Sequence, residues 1–272
     1  MTKLAFWRVL RLAYRTALAD PRRLAAAAGP FLVAASLPAL LLQGLAPRSG
    51  MTGAALALLG ALWASAGYLG FALRWQRRML VGEALDGRAA LRLGARERRF
   101  AGHAVLVFII VGAALLGAVV LVFLPLTLLL SVLHARSLGG MSGWLFQGVA
   151  AIACGIVFAR LALALPAAAT DETGDMLEIA WQRSHGHAIG LFAGTALSVL
   201  PFAVLQHLLE APFGRALGYS LALQLAASAV ATILGYAATA VLASFWCEAH
   251  RALAPGTAPR DGIAPSGALP AR

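Results

Sequence analysis

Charged residues, and acidic ones above all, are scarce in this sequence. Only 12% of the 272 residues are charged and 11 are acidic, whereas 61% are hydrophobic. Ordinary soluble domains carry about one-quarter charged residues, so this composition lies far outside their range. It predicts a membrane protein, in which the bilayer supplies the apolar surroundings.

Motifs that carry chemistry are also missing. Cys154 and Cys247 lie in or at the end of apolar runs without metal-ligand spacing, which argues against a disulfide framework. The sequence has no phosphate-binding glycine loop, no HExxH and no GxSxG. Coupled carriers usually hold carboxylates within the membrane, and an intramembrane enzyme would need a convergent polar cluster; neither is evident. We therefore predict no enzymatic activity, no cofactor and no metal site.

Six uncharged apolar runs are long enough to cross a bilayer, which takes about 20 residues. The third run is too long for one simple crossing, and a tilt or a kink at Pro125 would account for its length. The predicted architecture is an all-α polytopic membrane bundle of six transmembrane helices within residues 21–250. The predicted spans are residues 24–46, 51–73, 104–133, 138–159, 188–208 and 217–246.

Basic residues are concentrated in the segments between these runs. In a soluble protein the net charge of +11 would suggest nucleic acid, but this distribution indicates membrane topology instead. Of the 22 Lys and Arg residues, 19 fall on one side of the predicted spans, and Arg48, Arg136 and Arg215 fall on the other. By the positive-inside rule, we predict a multi-pass protein of the bacterial inner membrane with cytoplasmic N- and C-termini. No nucleic-acid partner is expected.

The two ends of the chain differ from the spans. Residues 1–20 predict an amphipathic interfacial helix, which would lie in the headgroup plane with its arginines toward anionic lipid. Asp20-Pro21 predicts the N-cap and first turn of the next helix. The proline-rich residues 251–272 predict a disordered cytoplasmic tail. One face of the interfacial helix holds Phe6, Val9, Leu10, Ala13 and Ala17, and the other holds Arg8, Arg11 and Arg15.

Arginines that follow span two are candidates for binding lipid or another anion. Arg74, Arg77 and Arg78 could contact anionic headgroups or a phosphorylated ligand through bidentate guanidinium bonds. The alternative is that they only set topology. Acidic residues interspersed in the same loop favour a folded, ion-paired segment; these are Glu83, Asp86 and Glu97.

Arg160, at the end of span four, is a further candidate. An ionisable residue near membrane depth is by default a functional candidate. The apolar run 161–169 follows it. Either the helix continues along the interface with Arg160 snorkelling to the headgroups, which we favour, or the run folds back against the bundle.

Small residues recur every four positions along span five, at Gly186, Gly190, Gly194 and Ser198. Such spacing lets two helix backbones approach closely, so it predicts a packing face, by default against another helix of the same chain. The neighbouring His185 and His187 are a weak metal signal, because a histidine pair without further ligands is usually part of a solvated loop.

Three short motifs stand at the predicted inner ends of the spans. They are Arg74-Trp75-x-Arg77-x-x-Leu80-x-Gly82-Glu83, Arg160-Leu-x-Leu-x-Leu-Pro166-Ala-x-Ala and Ala180-Trp181-x-x-Ser184-x-Gly186. They resemble motifs of uncharacterised proteobacterial integral membrane proteins, whose wider relatives are YciC-like proteins and the membrane domain attached to some glycerophosphodiester phosphodiesterases. The resemblance covers most of residues 4–251 and implies a six-helix bundle without an assigned activity. No segment corresponds to a soluble phosphodiesterase domain, so that activity is not carried over.

Two functions are compatible with these features. The first is a non-enzymatic membrane module that binds anionic lipid headgroups, or another membrane protein, through its basic cytoplasmic face. The alternative is a transporter or permease component for an anionic or amphipathic substrate, with Arg160 facing a cavity between the spans. A close-packed bundle favours the module, and a polar cavity reaching Arg160 favours transport.

Overall fold

The chain folds as a helical bundle. A computed structural model describes residues 6–45, 50–83, 94–119, 121, 124–125, 136–170, 174–216 and 221–254, and these residues contain helices and no strand. The helices are α1 (Phe6–Leu18), α2 (Pro21–Phe31), α3 (Leu37–Leu45), α4 (Met51–Val81), α5 (Ala95–Ala118), α6 (Arg136–Leu161), α7 (Ala164–Ala169), α8 (Met176–Arg183), α9 (Ala188–Ala216) and α10 (Leu221–Leu253).

Six helical segments in the described residues are long and apolar enough to span a membrane, which confirms the predicted all-α multi-pass architecture. The third predicted span continues beyond α5 into residues that lie mostly outside the described part, including the surroundings of Pro125. The predicted tail lies there too from residue 255 onward. The six segments are Pro21–Leu42, Met51–Val81, Glu97–Gly117, Gly148–Ala169, Ala188–Leu209 and Leu225–Leu253.

Several helices extend past the apolar runs that predicted them. α4 reaches Val81 and α10 reaches Leu253, whereas the predicted spans end at residues 73 and 246. At 1.5 Å per residue, the 31 residues of α4 measure about 46 Å, against about 30 Å for the hydrocarbon core. Hydrophobicity marks where the apolar run ends, but capping decides where the helix ends. In α4 the cap is Gly82, whose φ of 76° suits glycine.

The first span contains a π-helical turn at Leu32–Ser36, between α2 and α3. Asp20 accepts a hydrogen bond from the Arg23 amide at 3.0 Å, so it caps α2 as the sequence predicts. Pro38, just beyond the turn, has no N–H for the Ala34 carbonyl, and in a regular α-turn its ring would crowd that carbonyl. The wider turn relieves this crowding. The Trp63 indole of α4 donates to the Ala34 carbonyl at 3.0 Å.

The most deeply buried segment lies at one end of the bundle, which we call the basic end because Arg74, Arg77, Arg160 and Arg251 lie there. Residues 161–169, which include α7, are all buried and contact α4, α5, α8 and α10. The run after Arg160 therefore folds back against the bundle, which corrects our preference for a helix continuing along the interface. Alanine and leucine fit this position because close packing among helices leaves little room for larger side chains.

Candidate functional site

Two arginines near the end of α4 are ion-paired within the protein. Arg74 donates to Glu83 at 3.2 Å and to Glu97 at 2.9 Å, so it joins α4 to α5. Arg77 donates to Glu83 at 2.5 Å and to the Ala169 carbonyl at 2.8 Å, so it joins α4 to α7. The side chains of Arg74 and Arg77 are 14% and 10% exposed. Their bonds hold the helices of the basic end together, as expected from Glu83 and Glu97, whereas Asp86 lies outside the described residues.

The next arginine on α4 has a different environment. Arg78 is partly exposed, and its side chain has no hydrogen bond or ion pair with the described residues. In the last turn of α10, Arg251 donates to the Met79 carbonyl and to Glu248, the latter at 2.9 Å. Of the three arginines predicted after span two, Arg78 is therefore the most accessible to an external anion.

Arg160 is held by α8 and the residue that follows it. Its guanidinium lies over the Trp181 ring, 3.4 Å from the ring centroid, which is a cation–π contact. It also donates to the Ser184 hydroxyl at 2.9 Å and to the Trp181 carbonyl at 2.8 Å. Ser184 is fully buried. These contacts lie within the protein, whereas we expected Arg160 to snorkel to the headgroups. The transport alternative stays a prediction, since it needs Arg160 to face a cavity.

α1 divides into two faces as its sequence predicts. Arg8, Arg11 and Arg15 are exposed. The opposite face packs against α9 and α10 rather than against lipid, so α1 is docked on the bundle. The buried residues of this face are Val9, Leu10, Ala13 and Ala17.

Tyr14, which no motif or pattern in the sequence marked, joins α1 to a span. Its hydroxyl donates to the Leu197 carbonyl of α9 at 2.7 Å. Its ring stacks on Phe202, with centroids 6.5 Å apart and planes inclined by 5°. Burial raises the pKa of the Tyr14 hydroxyl above its ordinary value of 10.0, so the hydroxyl stays a donor at neutral pH.

The small residues of α9 do not form one continuous packing face. Gly194 and Ser198 are buried, and a Cβ built on Gly194 would lie 2.8 Å from Cε1 of Phe245 in α10. A Cβ on Gly190 would meet nothing within 4 Å. Gly186 precedes α9, which begins at Ala188, and its φ of 79° places it in a left-handed turn. The close approach to α10 therefore lies at Gly194, Ser198 is buried one turn further along α9, and glycine at 186 serves the turn.

Hydroxyl groups from three elements meet between the spans, although the sequence showed no convergent polar cluster. Ser36 of the π-helical turn and Tyr236 of α10 share a hydrogen bond of 3.0 Å. Tyr68 of α4 donates to the Thr232 carbonyl at 3.4 Å, and its ring lies 4.6 Å from that of Tyr236. These hydroxyls bond to one another and to a carbonyl, as is typical of polar contacts that hold transmembrane helices together.

In the part of the chain that the structure describes, no group of three or more His, Cys, Asp and Glu residues could hold a metal ion. Among known proteins, no family, no curated sequence and no solved structure matches this chain. The resemblance drawn from the three motifs therefore stays a prediction.

Proposed function

We propose that this chain is a non-enzymatic module of a bacterial inner membrane whose basic end binds anionic lipid headgroups through α1. The division of α1 carries the proposal. Its apolar face is already covered by α9 and α10, while Arg8, Arg11 and Arg15 remain exposed on the opposite face. Val9, Leu10 and Ala13 share a buried cluster with residues of the segment 161–169, so α1 lies at the basic end. A row of guanidinium groups there is suited to headgroup phosphates, which they bind through charge-assisted hydrogen bonds.

The edge of α1 beside the arginines supports lipid as the partner. At 100° per residue, Trp7 and Leu18 project within about 40° of Tyr14, which points toward the spans. Trp7 is 71% exposed. Exposed tryptophan next to basic residues is typical of the membrane–water interface. The arginines project about 60–120° from Tyr14, which turns them from the apolar edge toward the headgroups.

The expected contribution of these arginines is large enough to measure. Each basic residue near an anionic membrane surface contributes about 1 kcal/mol. Arg8, Arg11 and Arg15 together would contribute roughly 3 kcal/mol, or about 100-fold in affinity. Arg22 is also exposed at the start of α2, whereas the exposed Arg23 is ion-paired with Asp20 at 2.6 Å.

The arginines of α1 thus take the lipid-binding role that was predicted for those after span two. Arg74 and Arg77 are already bonded to Glu83, Glu97 and a carbonyl, so an added anion would compete with these bonds. Arg78 remains a secondary candidate. The location of this end in the cytoplasm is inferred from the 19-to-3 division of basic residues.

Native mass spectrometry of the detergent-purified chain tests the proposal. The protein is titrated with phosphatidylglycerol or with phosphatidylcholine of the same acyl chains, and the ratio of the two affinities is measured. We expect the triple variant R8Q/R11Q/R15Q to lose most of the preference for phosphatidylglycerol. The matched variant R8K/R11K/R15K retains the charges and should keep most of it. An unchanged preference in the glutamine variant would refute the proposal.

Topology must be the same in both variants, because removing basic residues can also invert a membrane protein. A cysteine introduced in the predicted external turn, as Ser49→Cys, reports this by its labelling from outside intact cells. Equal labelling in both variants assigns the lost preference to lipid binding.

A further inference from the structure

A proline in α9 leaves one carbonyl of that helix without its usual partner. In an α-helix the carbonyl of residue i accepts from the N–H of residue i+4. The residue four positions after Leu197 is Pro201, which has no N–H. Within a bilayer such a carbonyl must be satisfied by another group. Here the donor is the Tyr14 hydroxyl at 2.7 Å.

The same arrangement occurs a second time in the bundle. Pro38 leaves the Ala34 carbonyl free, and the Trp63 indole donates to it at 3.0 Å. In both cases the donor is an aromatic side chain from a different helix. Trp63 joins two consecutive spans, whereas Tyr14 joins a span to α1.

Tyr14 lies where a directional bond can control the rotation of α1. At 100° per residue, Tyr14 is about 60–120° around the axis of α1 from Arg8, Arg11 and Arg15. In the opposite direction around the axis, Tyr14 borders the buried apolar face. The buried apolar face of α1 already limits its rotation, but apolar contacts are non-directional and do not by themselves set one exact angle. A hydrogen bond at the edge of this face, supported by stacking on Phe202, opposes such rolling.

We propose that Tyr14 is a positioning residue, which binds the carbonyl freed by Pro201 and thereby holds the arginines of α1 toward the headgroups. This inference rests on the proposed lipid-binding function. It adds that Tyr14 orients the lipid-binding arginines and that its partner in the membrane domain is the Leu197 carbonyl.

A double-mutant cycle tests the bond itself. Tyr14→Phe keeps the ring but removes the hydroxyl, whereas Pro201→Ala restores an amide that can bond the Leu197 carbonyl. We expect Tyr14→Phe to speed hydrogen exchange of the α1 amides about tenfold when Pro201 is present. In the Pro201→Ala background the same change should have less than about a threefold effect, since the carbonyl then has a partner. If Tyr14→Phe changes exchange equally in the two backgrounds, or in neither, the hydroxyl does not hold α1 through the Leu197 carbonyl.

Tyr68→Phe is the matched control, because it removes a hydroxyl that bonds the Thr232 carbonyl of α10 rather than a group of α1 or the Leu197 carbonyl. Tyr68→Phe should leave hydrogen exchange of the α1 amides unchanged. Accelerated exchange in α1 would mean that loss of either tyrosine hydroxyl loosens this helix, and it would overturn the specific role of Tyr14.

Lipid titration then separates this inference from the proposed function. We expect Tyr14→Phe to lower the preference for phosphatidylglycerol, and Tyr14→Phe/Pro201→Ala to recover it. If Tyr14→Phe loosens α1 but leaves the lipid preference intact, the positioning role fails. If R8Q/R11Q/R15Q has no effect on lipid binding, the proposed function fails, and the exchange measurement still decides whether the Tyr14 bond holds α1.

Discussion

Replacing Gly194 by alanine should weaken the contact between α9 and α10. A Cβ at this position would lie 2.8 Å from Cε1 of Phe245, with Cζ and Cε2 closer still. Ordinary contact begins at 3.4 Å, so Cε1 alone must move by 3.4 − 2.8 = 0.6 Å, and Cζ by more. The Phe245 ring is fully buried and cannot swing into solvent or lipid. The strain must therefore be met by separating the helices or distorting the ring.

The magnitude follows from comparison with Gly190, which lies one turn earlier in α9 and whose Cβ would meet nothing within 4 Å. Alanine gains about 1 kcal/mol of helix propensity over glycine at Gly194, inside α9, and less at Gly190, the third residue of the helix. The overpacking cost, which applies only at Gly194, is about 1–3 kcal/mol. We therefore expect Gly194→Ala to be less stable than Gly190→Ala by about 1–2 kcal/mol.

Reversible unfolding in mixed micelles, titrated with sodium dodecyl sulfate and followed by circular dichroism, measures this difference. A smaller side chain at position 245 should relieve the strain, so Gly194→Ala should cost less in a Phe245→Leu background. Equal free energies of unfolding for the Gly194 and Gly190 variants, within about 0.5 kcal/mol, would show that the bundle accommodates the methyl group. The close approach of α9 and α10 would then not depend on glycine.

Two further predictions concern polar contacts made by α4 and α5 and use the same unfolding assay. Trp63→Phe should lower the free energy of unfolding by about 1–3 kcal/mol, because the Ala34 carbonyl loses its donor. In a Pro38→Ala background the residue at position 38 has an amide that can bond this carbonyl, so the loss should be smaller. An equal loss in both backgrounds would contradict this explanation. Glu97→Gln should cost about 1–3 kcal/mol, because Glu97 bonds both Arg74 and the Gly94 amide. Its control, Glu178→Gln, alters an exposed residue on α8 and should change the free energy of unfolding by less than about 0.5 kcal/mol. Similar losses in the Glu97 and Glu178 variants would refute the role of the Arg74 ion pair.

Local patterns were sufficient for much of the fold. Long uncharged runs indicated six spans, because a bilayer-crossing helix needs about 20 apolar residues whatever it packs against. The two faces of α1 followed from helical periodicity, and Asp20 with Pro21 marked the start of α2. Each of these features depends on residues close together in the chain. Helix ends were less accurate, since α4 and α10 continue past their apolar runs.

The candidate site was predicted only in part. Arginine content identified the basic end, but its residues could not be divided from sequence into those that hold helices together and those that face outward. Arg77 bonds Ala169, 92 positions away, and Tyr14 bonds Leu197, 183 positions away. Sequence spacing contains no information on such pairs, because they depend on how each helix is rotated against its neighbours.

Hydrophobicity and periodicity act locally, so a membrane protein, the six apolar helices of the described residues and the two faces of α1 could all be predicted from the sequence. Other features appear only in the folded chain: α1 covers protein with its apolar face, Gly194 rather than Gly190 meets another helix, and Tyr14 satisfies the carbonyl freed by Pro201. A hydrogen bond or close contact needs two groups at a defined distance and angle, and only the packed bundle supplies both.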